Sequence, residues 1–279
     1  MKLYVSVDME GLPGITSISQ VSTTGKDYDR ARKWMTEIVN IVASTAFSYG
    51  FKEVYVNDAH GLMINILYEK LAGNTYLISG FPKSISMMCG IDNSFNAAIF
   101  LGYHAKKGTE HAVMDHTMSG RHIQRIIVNG IEASEFYLNA AVAGYYNVPV
   151  ILVGGDDKVV SEAKELIENI ELVEFKRSIG RFSSISLALK NIEEELREKC
   201  LKAFEKLKSS KIKPFKVSEP VTMEVEFTNS AIPEALEILP FVRRKKLTVK
   251  VLAKNILEAY RFLELFLIVA AGISAITSK

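Results

Sequence analysis

Within its first 104 residues the chain has three apolar, β-branched runs that end on side chains able to bind metals or carry protons. Leu3-Tyr4-Val5-Ser6-Val7 leads into Asp8, Met9 and Glu10, and Val54-Tyr55-Val56-Asn57 leads into Asp58, Ala59 and His60. Ala98-Ile99-Phe100-Leu101-Gly102-Tyr103 leads into His104. Such runs read as strands buried on both faces, and open α/β sheets carry their sites just beyond the carboxyl ends of their strands. Asp8, Glu10, His60 and His104 are therefore candidates to converge on one point. Oxygen and imidazole donors together suit zinc or another divalent transition ion.

The spacing between these runs predicts the fold class. A helix over about 28–49, with Trp34, Ile38, Ile41, Val42 and Thr45 at helical spacing and Gly50 as its stop, joins strands over 2–8 and 53–57 into a βαβ unit. Further strands are expected at 75–79, 97–102 and 149–154, and Asn129-Gly130 between apolar flanks signals a hairpin. Residues 135–146 read as a helix with Glu135 in its first turn, where the helix dipole alone accounts for a carboxylate. From Lys158 the chain reads as charged and helical, with a second such segment over about 184–207. The polar, proline-marked stretch 209–220 reads as a linker. Strands at 221–227 and 247–253 and helices at 231–238 and 254–276 follow it. The expectation is an α/β fold with a mostly parallel central sheet and flanking helices over 1–212. A smaller α+β C-terminal domain, concerned with assembly, is expected over 213–279.

Bulk properties remove several function classes. The chain is 48% hydrophobic, so it can bury a full core, and 34 Lys and Arg against 32 Asp and Glu give +2, no footprint for nucleic acid. Cys89 and Cys200 are far apart and form no CxxC, which supports neither a disulfide framework nor a thiolate metal site and favours a cytoplasmic setting. No signal-peptide pattern opens the chain. The apolar stretch Leu265–Ile276 is shorter than the roughly 18–20 residues a span needs, so a buried terminal helix or an oligomer contact is expected rather than a membrane anchor. No HExxH, GxSxG or P-loop pattern is present, and Gly154-Gly155 after a strand reads as a bare turn.

Asp8 and Glu10 stand at i and i+2, and the turn-forming Gly11 and Pro13-Gly14 let both reach one ion; an Asp with two oxygens can also bridge two. His60 needs a partner on its other ring nitrogen, and Asp58 is at hand to orient a neighbouring ligand. His111, His116 and His122 fall in one loop-like stretch, and any of them could shuttle a proton near neutral pH. Their spacing does not choose among them.

Five blocks in one order over residues 1–157 resemble the DppA-type zinc-dependent D-aminopeptidases, peptidases linked to bacterial dipeptide-permease operons. The blocks are Val5–Gly11, Val56–His60, Phe100–Ala105, Val113–Met118 and Leu138–Tyr146. The resemblance implies two zinc ions per subunit, with Asp8 as bridging ligand and Glu10, His60, His104 and Glu135 completing the set. It implies His116 as the catalytic histidine, short peptides as substrates and a ring-shaped homodecamer enclosing the active sites. The residue preceding His116, Asp115, departs from the bacterial pattern, which bears on selectivity more than on metal. The same ligands would also suit a dinuclear hydrolase of another amide or a phosphoester bond. A non-catalytic, metal-stabilised peptide-binding oligomer is the rival from a different class.

Overall fold

A computed structural model describes residues 1–277. In chain order the elements begin β1 (Lys2–Val7), α1 (Ile18–Val21), α2 (Tyr28–Tyr49), β2 (Glu53–Asp58), β3 (Thr75–Ile78), β4 (Ala97–Tyr103), β5 (Ile123–Val128), β6 (Ile131–Glu132), α3 (Glu135–Tyr145) and β7 (Val150–Asp156). They continue with α4 (Asp157–Leu166), β8 (Glu171–Gly180), β9 (Ser183–Ser186), α5 (Leu189–Lys208), β10 (Val221–Phe227), α6 (Ala231–Leu236), β11 (Arg243–Lys245), β12 (Thr248–Ala253) and α7 (Ile256–Thr277).

The seven-stranded sheet runs β3-β2-β1-β4-β7-β8-β9. All its pairings are parallel except β8 with β9. β4 and β7 are buried at every position, the condition for a strand covered on both faces. α2 and α5 pack on each other and on these strands, while α3 and α4 contact β4, β7 and β8. The chain leaves β1 in one direction for β2 and β3, and β4 resumes on β1's other edge. A topological switch point therefore lies between β1 and β4, where the crevice of an open α/β sheet forms.

The second sheet, β11-β12-β10-β5-β6, is antiparallel throughout. β10 alternates buried and half-buried positions, the pattern of a sheet with one solvated face. Its hairpin β5–β6 comes from residues 123–132, inside the segment that carries the first sheet. α7 packs on β10, β12, α6 and α3, and so ties the second sheet to the first.

The mostly parallel α/β class, the βαβ unit, the Asn-Gly hairpin and the helix α3 with Glu135 in its first turn are as the sequence predicts; α3 is in addition buried along nearly its whole length. β8, β9 and β11 are not. The charged stretch after Lys158 stays helical only to Leu166, and α5 starts at Leu189 rather than near 184. Within β8, buried Val173 and Phe175 alternate with charged residues, and Lys176 itself is buried. Charge in that stretch therefore does not report exposure. α7 spans 22 residues and is long and apolar enough to cross a membrane by length and composition; it buries Tyr260, Leu263, Phe266 and Ala270 in the protein.

A candidate metal centre at the switch point

A distortion of β4 beside β1 shapes the site. Gly102 has φ +68°, and a Cβ there would stand 2.0 Å from the Asp8 carbonyl oxygen, so only glycine permits this approach. The pairing of β4 with β7 shifts register between Leu101 and Tyr103, and Asp8 and Gly11 donate their N–H groups to the carbonyls of Leu101 and Gly102 at 2.8 and 2.7 Å. This bulge re-aims the strand end, bringing His104 toward Asp8.

The six side chains to which the resemblance gives roles, Asp8, Glu10, His60, His104, His116 and Glu135, come together. Asp8 Oδ1 lies 3.3 Å from His60 Nδ1, and Asp8 Oδ2 lies 3.5 Å from His104 Nε2. Glu10 Oε2 is 2.8 Å from His60 Nδ1. Glu135, on the first turn of α3, puts Oε2 3.5 Å from His104 Nε2 and Oε1 3.7 Å from His116 Nε2. The rings of His104 and His116 stack with centroids 4.4 Å apart. Asp8 thus stands between two groups, one of Glu10 and His60, the other of His104, Glu135 and His116.

Each imidazole is fixed from behind by a main-chain carbonyl. His60 Nε2 faces Val21 O at 2.7 Å, His104 Nδ1 faces Ala105 O at 2.9 Å, and His116 Nδ1 faces Met114 O at 2.8 Å. A carbonyl only accepts, so each of these nitrogens carries a proton and the opposite nitrogen of each neutral ring turns a bare lone pair toward carboxylate oxygens. Lone pairs facing lone pairs repel unless a cation lies between them. Glu10 Oε2 and His104 Nε2 are buried without a hydrogen bond. Asp8, Glu10 and His104 form one group whose ligand atoms lie within 4.8 Å of one another, and His104, His116 and Glu135 form a second.

Without an ion, protons take the cation's place. Burial works against charge on His60 and His104; the Glu10 carboxylate, with Asp8, outweighs it at His60 and raises that ring well above its usual range. Glu135 and Asp8 hold His104 up to about 9. Burial and the neighbouring Glu10 carboxylate push Asp8 up to about 7. For Glu10, burial is outweighed by His60, and its pKa falls well below the carboxylate range.

Supporting residues reach the site through the backbone. Asp58 accepts the N–H groups of Asn65 and Ile66 at 2.5 and 2.9 Å and the Asn65 amide at 2.7 Å. It holds the turn that carries His60, whereas the ring is set by Val21. Buried Lys176 donates to the carbonyls of Glu10 and Ile15 and fixes the turn after β1. Gly154-Gly155, expected as a bare turn, lies within β7, and Asp156 at the strand's end caps α4 and accepts the Ala105 N–H at 3.0 Å. Asp115 pairs with Arg181 and accepts the Gly108 N–H at 2.6 Å, so it anchors the His116 loop to the β8–β9 turn. Met114 and Met118, either side of His116, both have positive φ, at 46° and 63°. Such strain persists where surrounding contacts over-determine the backbone, commonly at functional sites. His122 bonds Ser119 Oγ and Ser274 Oγ at 3.0 and 2.8 Å, and His111 is exposed. Of the three loop histidines, only His116 reaches the carboxylates.

The cavity over this centre measures about 390 Å³. Asp8, Glu10, His60, His116 and Glu135 line one side, α7 contributes Glu264, Leu267 and Ala271, and Met63, Phe81 and Met87 add apolar surface. Sequence reasoning missed α7's part in the site. Its only signal was a charged residue at the head of an apolar stretch.

A model of peptidase family M55, D-aminopeptidase, matches residues 1–265. The D-aminopeptidase of Bacillus subtilis (strain 168) is 40% identical over 263 residues, 94% of this chain and 94% of that protein. A solved structure, the Zn-dependent D-aminopeptidase DppA from Bacillus subtilis, a self-compartmentalizing protease, matches with a TM-score of 0.92 at 38% identity. That match covers 97% of this chain and 98% of that one. With the family match spanning both sheets and the whole acid–imidazole cluster, this chain belongs to peptidase family M55, the D-aminopeptidases, and is a hydrolase.

Proposed function

We propose that the six-residue cluster holds two zinc ions per subunit and removes N-terminal D-residues from short peptides. The observation that carries the reading is the set of three imidazoles, each tied by one nitrogen to a main-chain carbonyl and presenting the other to carboxylates. Two buried, unpartnered atoms, Glu10 Oε2 and His104 Nε2, fit ligands better than hydrogen-bonding groups. Asp8 would bridge, since its two oxygens face different histidines. Glu10 and His60 would hold one ion, and His104 and Glu135 the other. The choice of zinc rests on the Bacillus subtilis relative, and the donor set, nitrogen and oxygen without sulfur, accommodates it. Two bound ions supply a water deprotonated near neutral pH and a polarised carbonyl.

His116 lies on the cavity wall 3.7 Å from Glu135 with its Nδ1 proton on the Met114 carbonyl. Its Nε2 can therefore accept a proton and pass it to the departing amine, which leaves as a neutral group. Stacking on His104 and the Asp115–Arg181 pair hold the ring in place. Met63, Phe81 and Met87 surround a small N-terminal side chain and help exclude water.

The same reading assembles the chain as a ring-shaped homodecamer. Its support is the self-compartmentalizing relative, together with exposed Ile179, Phe182, Ile185 and Leu187 around the β8–β9 hairpin. The expected setting is cytoplasmic, consistent with Cys89 and Cys200 both being free thiols.

The test is hydrolysis of paired D-Ala and L-Ala di- and tripeptides by metal-stripped and zinc-reconstituted protein, with bound zinc counted and mass measured by light scattering. Zinc-restored cleavage confined to D-terminated peptides, at two ions per chain, supports the reading. Full activity in stripped protein, or preference for L-peptides, refutes it.

A further inference from the structure

Four acidic side chains line the cavity: Asp8, Glu10, Glu135 and Glu264. The first three are taken up by the acid–imidazole cluster. Glu264, on α7, is not: it is 5% exposed, Oε1 has no hydrogen-bond partner, and no ion pair reaches it among the described residues. Lys83, whose field reaches Glu264, commits its ammonium to Asn57 Oδ1 and to the Asp58 carbonyl. A carboxylate buried without a cation is an expensive arrangement unless a ligand supplies one. Burial pushes Glu264 up to about 7, against the hydrogen bond from Ser86 and the field of Lys83. Tyr260, one turn before it on α7, donates to Asn139 Oδ1 at 2.9 Å, and Asn139 donates to Tyr103 OH at 2.8 Å. This buried network ties α7 to β4 and α3, which carry the rest of the site.

We propose that Glu264 receives the substrate's free α-ammonium group and so makes the enzyme an aminopeptidase. This rests on the peptidase reading above. The scissile carbonyl is two bonds from that nitrogen, so an ammonium anchored on α7 orients the carbonyl toward the strand-end cluster across the cavity. An N-blocked peptide would leave the carboxylate buried and unpaired and would be rejected on that ground.

The experiment compares wild type, Glu264→Gln and Glu264→Asp for kcat and KM on D-Ala-D-Ala, with zinc counted. It also titrates D-alanine and propionate, which lacks the amine, into each zinc-loaded protein by calorimetry. Glu264→Gln should lose about 10²-fold in kcat/KM, almost all of it in KM, with zinc unchanged and partial recovery in Glu264→Asp. Wild type should prefer D-alanine to propionate, and Glu264→Gln should lose that preference. A kcat/KM within threefold of wild type, a loss confined to kcat, or an ammonium preference that survives in Glu264→Gln would overturn the proposal. If wild type cleaves no D-terminated peptide, the peptidase reading fails by itself and the calorimetric preference still decides the role of Glu264.

Discussion

The two sides of the cavity are built by opposite means. On one side Asp8, Glu10, His60 and His104 follow three neighbouring parallel strands, so the sheet's own register delivers them, and carbonyls of Val21 and Ala105 lock two rings from behind. On the other side α7, more than 120 residues further along the chain than Glu135, brings a single carboxylate with no locking partner on Oε1. On the proposed reading the first side is pre-organised for an ion of fixed coordination. The second is left unsatisfied, as suits a group whose partner arrives with the substrate. On that reading, imidazoles backed by main-chain carbonyls and facing carboxylates mark the metal side, while a buried acid with no imidazole beside it marks the substrate side.

The contrast is tested most severely at Asp8. Asp8→Asn keeps the shape and removes the charge between the two groups. It should abolish hydrolysis and bound zinc together, while the metal-free variant melts no lower than metal-free wild type, because burial already disfavours the Asp8 anion. Metal analysis and thermal melting read this out, and a zinc-loaded, active variant would dissolve the distinction between the sides. His116→Ala should lower kcat by about 10²–10⁴-fold with both ions kept. Loss of an ion would move His116 from proton transfer into the ligand set. Arg181→Ala, which frees Asp115 and loosens the His116 loop, should reduce kcat by about tenfold with KM and zinc little changed. An unchanged kcat would show that the stack on His104 suffices to place the ring.

The smallest effect is on stability against pH without metal. His60 and His104 have raised folded pKa values, so their stabilisation is complete below the ordinary histidine value and is lost as pH rises through the raised values, about 9 for His104. Asp8 acts in the same direction at lower pH: with its folded pKa raised to about 7, its contribution is lost as pH climbs from about 4 to 7, where the folded state must ionise it beside Glu10. Glu10, with its depressed pKa, contributes in the opposite sense only at acid pH. Metal-free protein should therefore melt progressively lower between about pH 6 and 9, and zinc, which displaces those protons, should flatten or reverse the trend. A pH-independent melt of the stripped protein would mean that the rings are not charged in the absence of metal.

Strand ends were legible because buried parallel strands are unbroken apolar runs, against which Asp8, His60 and His104 stand out. The convergence of the strand-end side chains could thus be read from the sequence, although choosing Glu135 and His116 needed the family resemblance: one is a normal first-turn acid and the other is one of three loop histidines. β8 and Lys176 were hidden because a lysine that donates only to main-chain carbonyls looks, in sequence, like any solvated lysine. Val21 and Met114 act through carbonyls, which carry no side-chain signature at all. Glu264 was visible only as a charge bordering an apolar helix, and its meaning depends on α7 packing against α3, a contact between elements that sequence order does not bring together.

The most direct test is the anomalous diffraction of zinc-reconstituted crystals at the zinc edge. The account predicts two peaks per chain, one among Asp8, Glu10 and His60 and the other among Asp8, His104 and Glu135, with Glu264 coordinated to neither. A single peak, a pair that does not share Asp8, or a peak on Glu264 would contradict it.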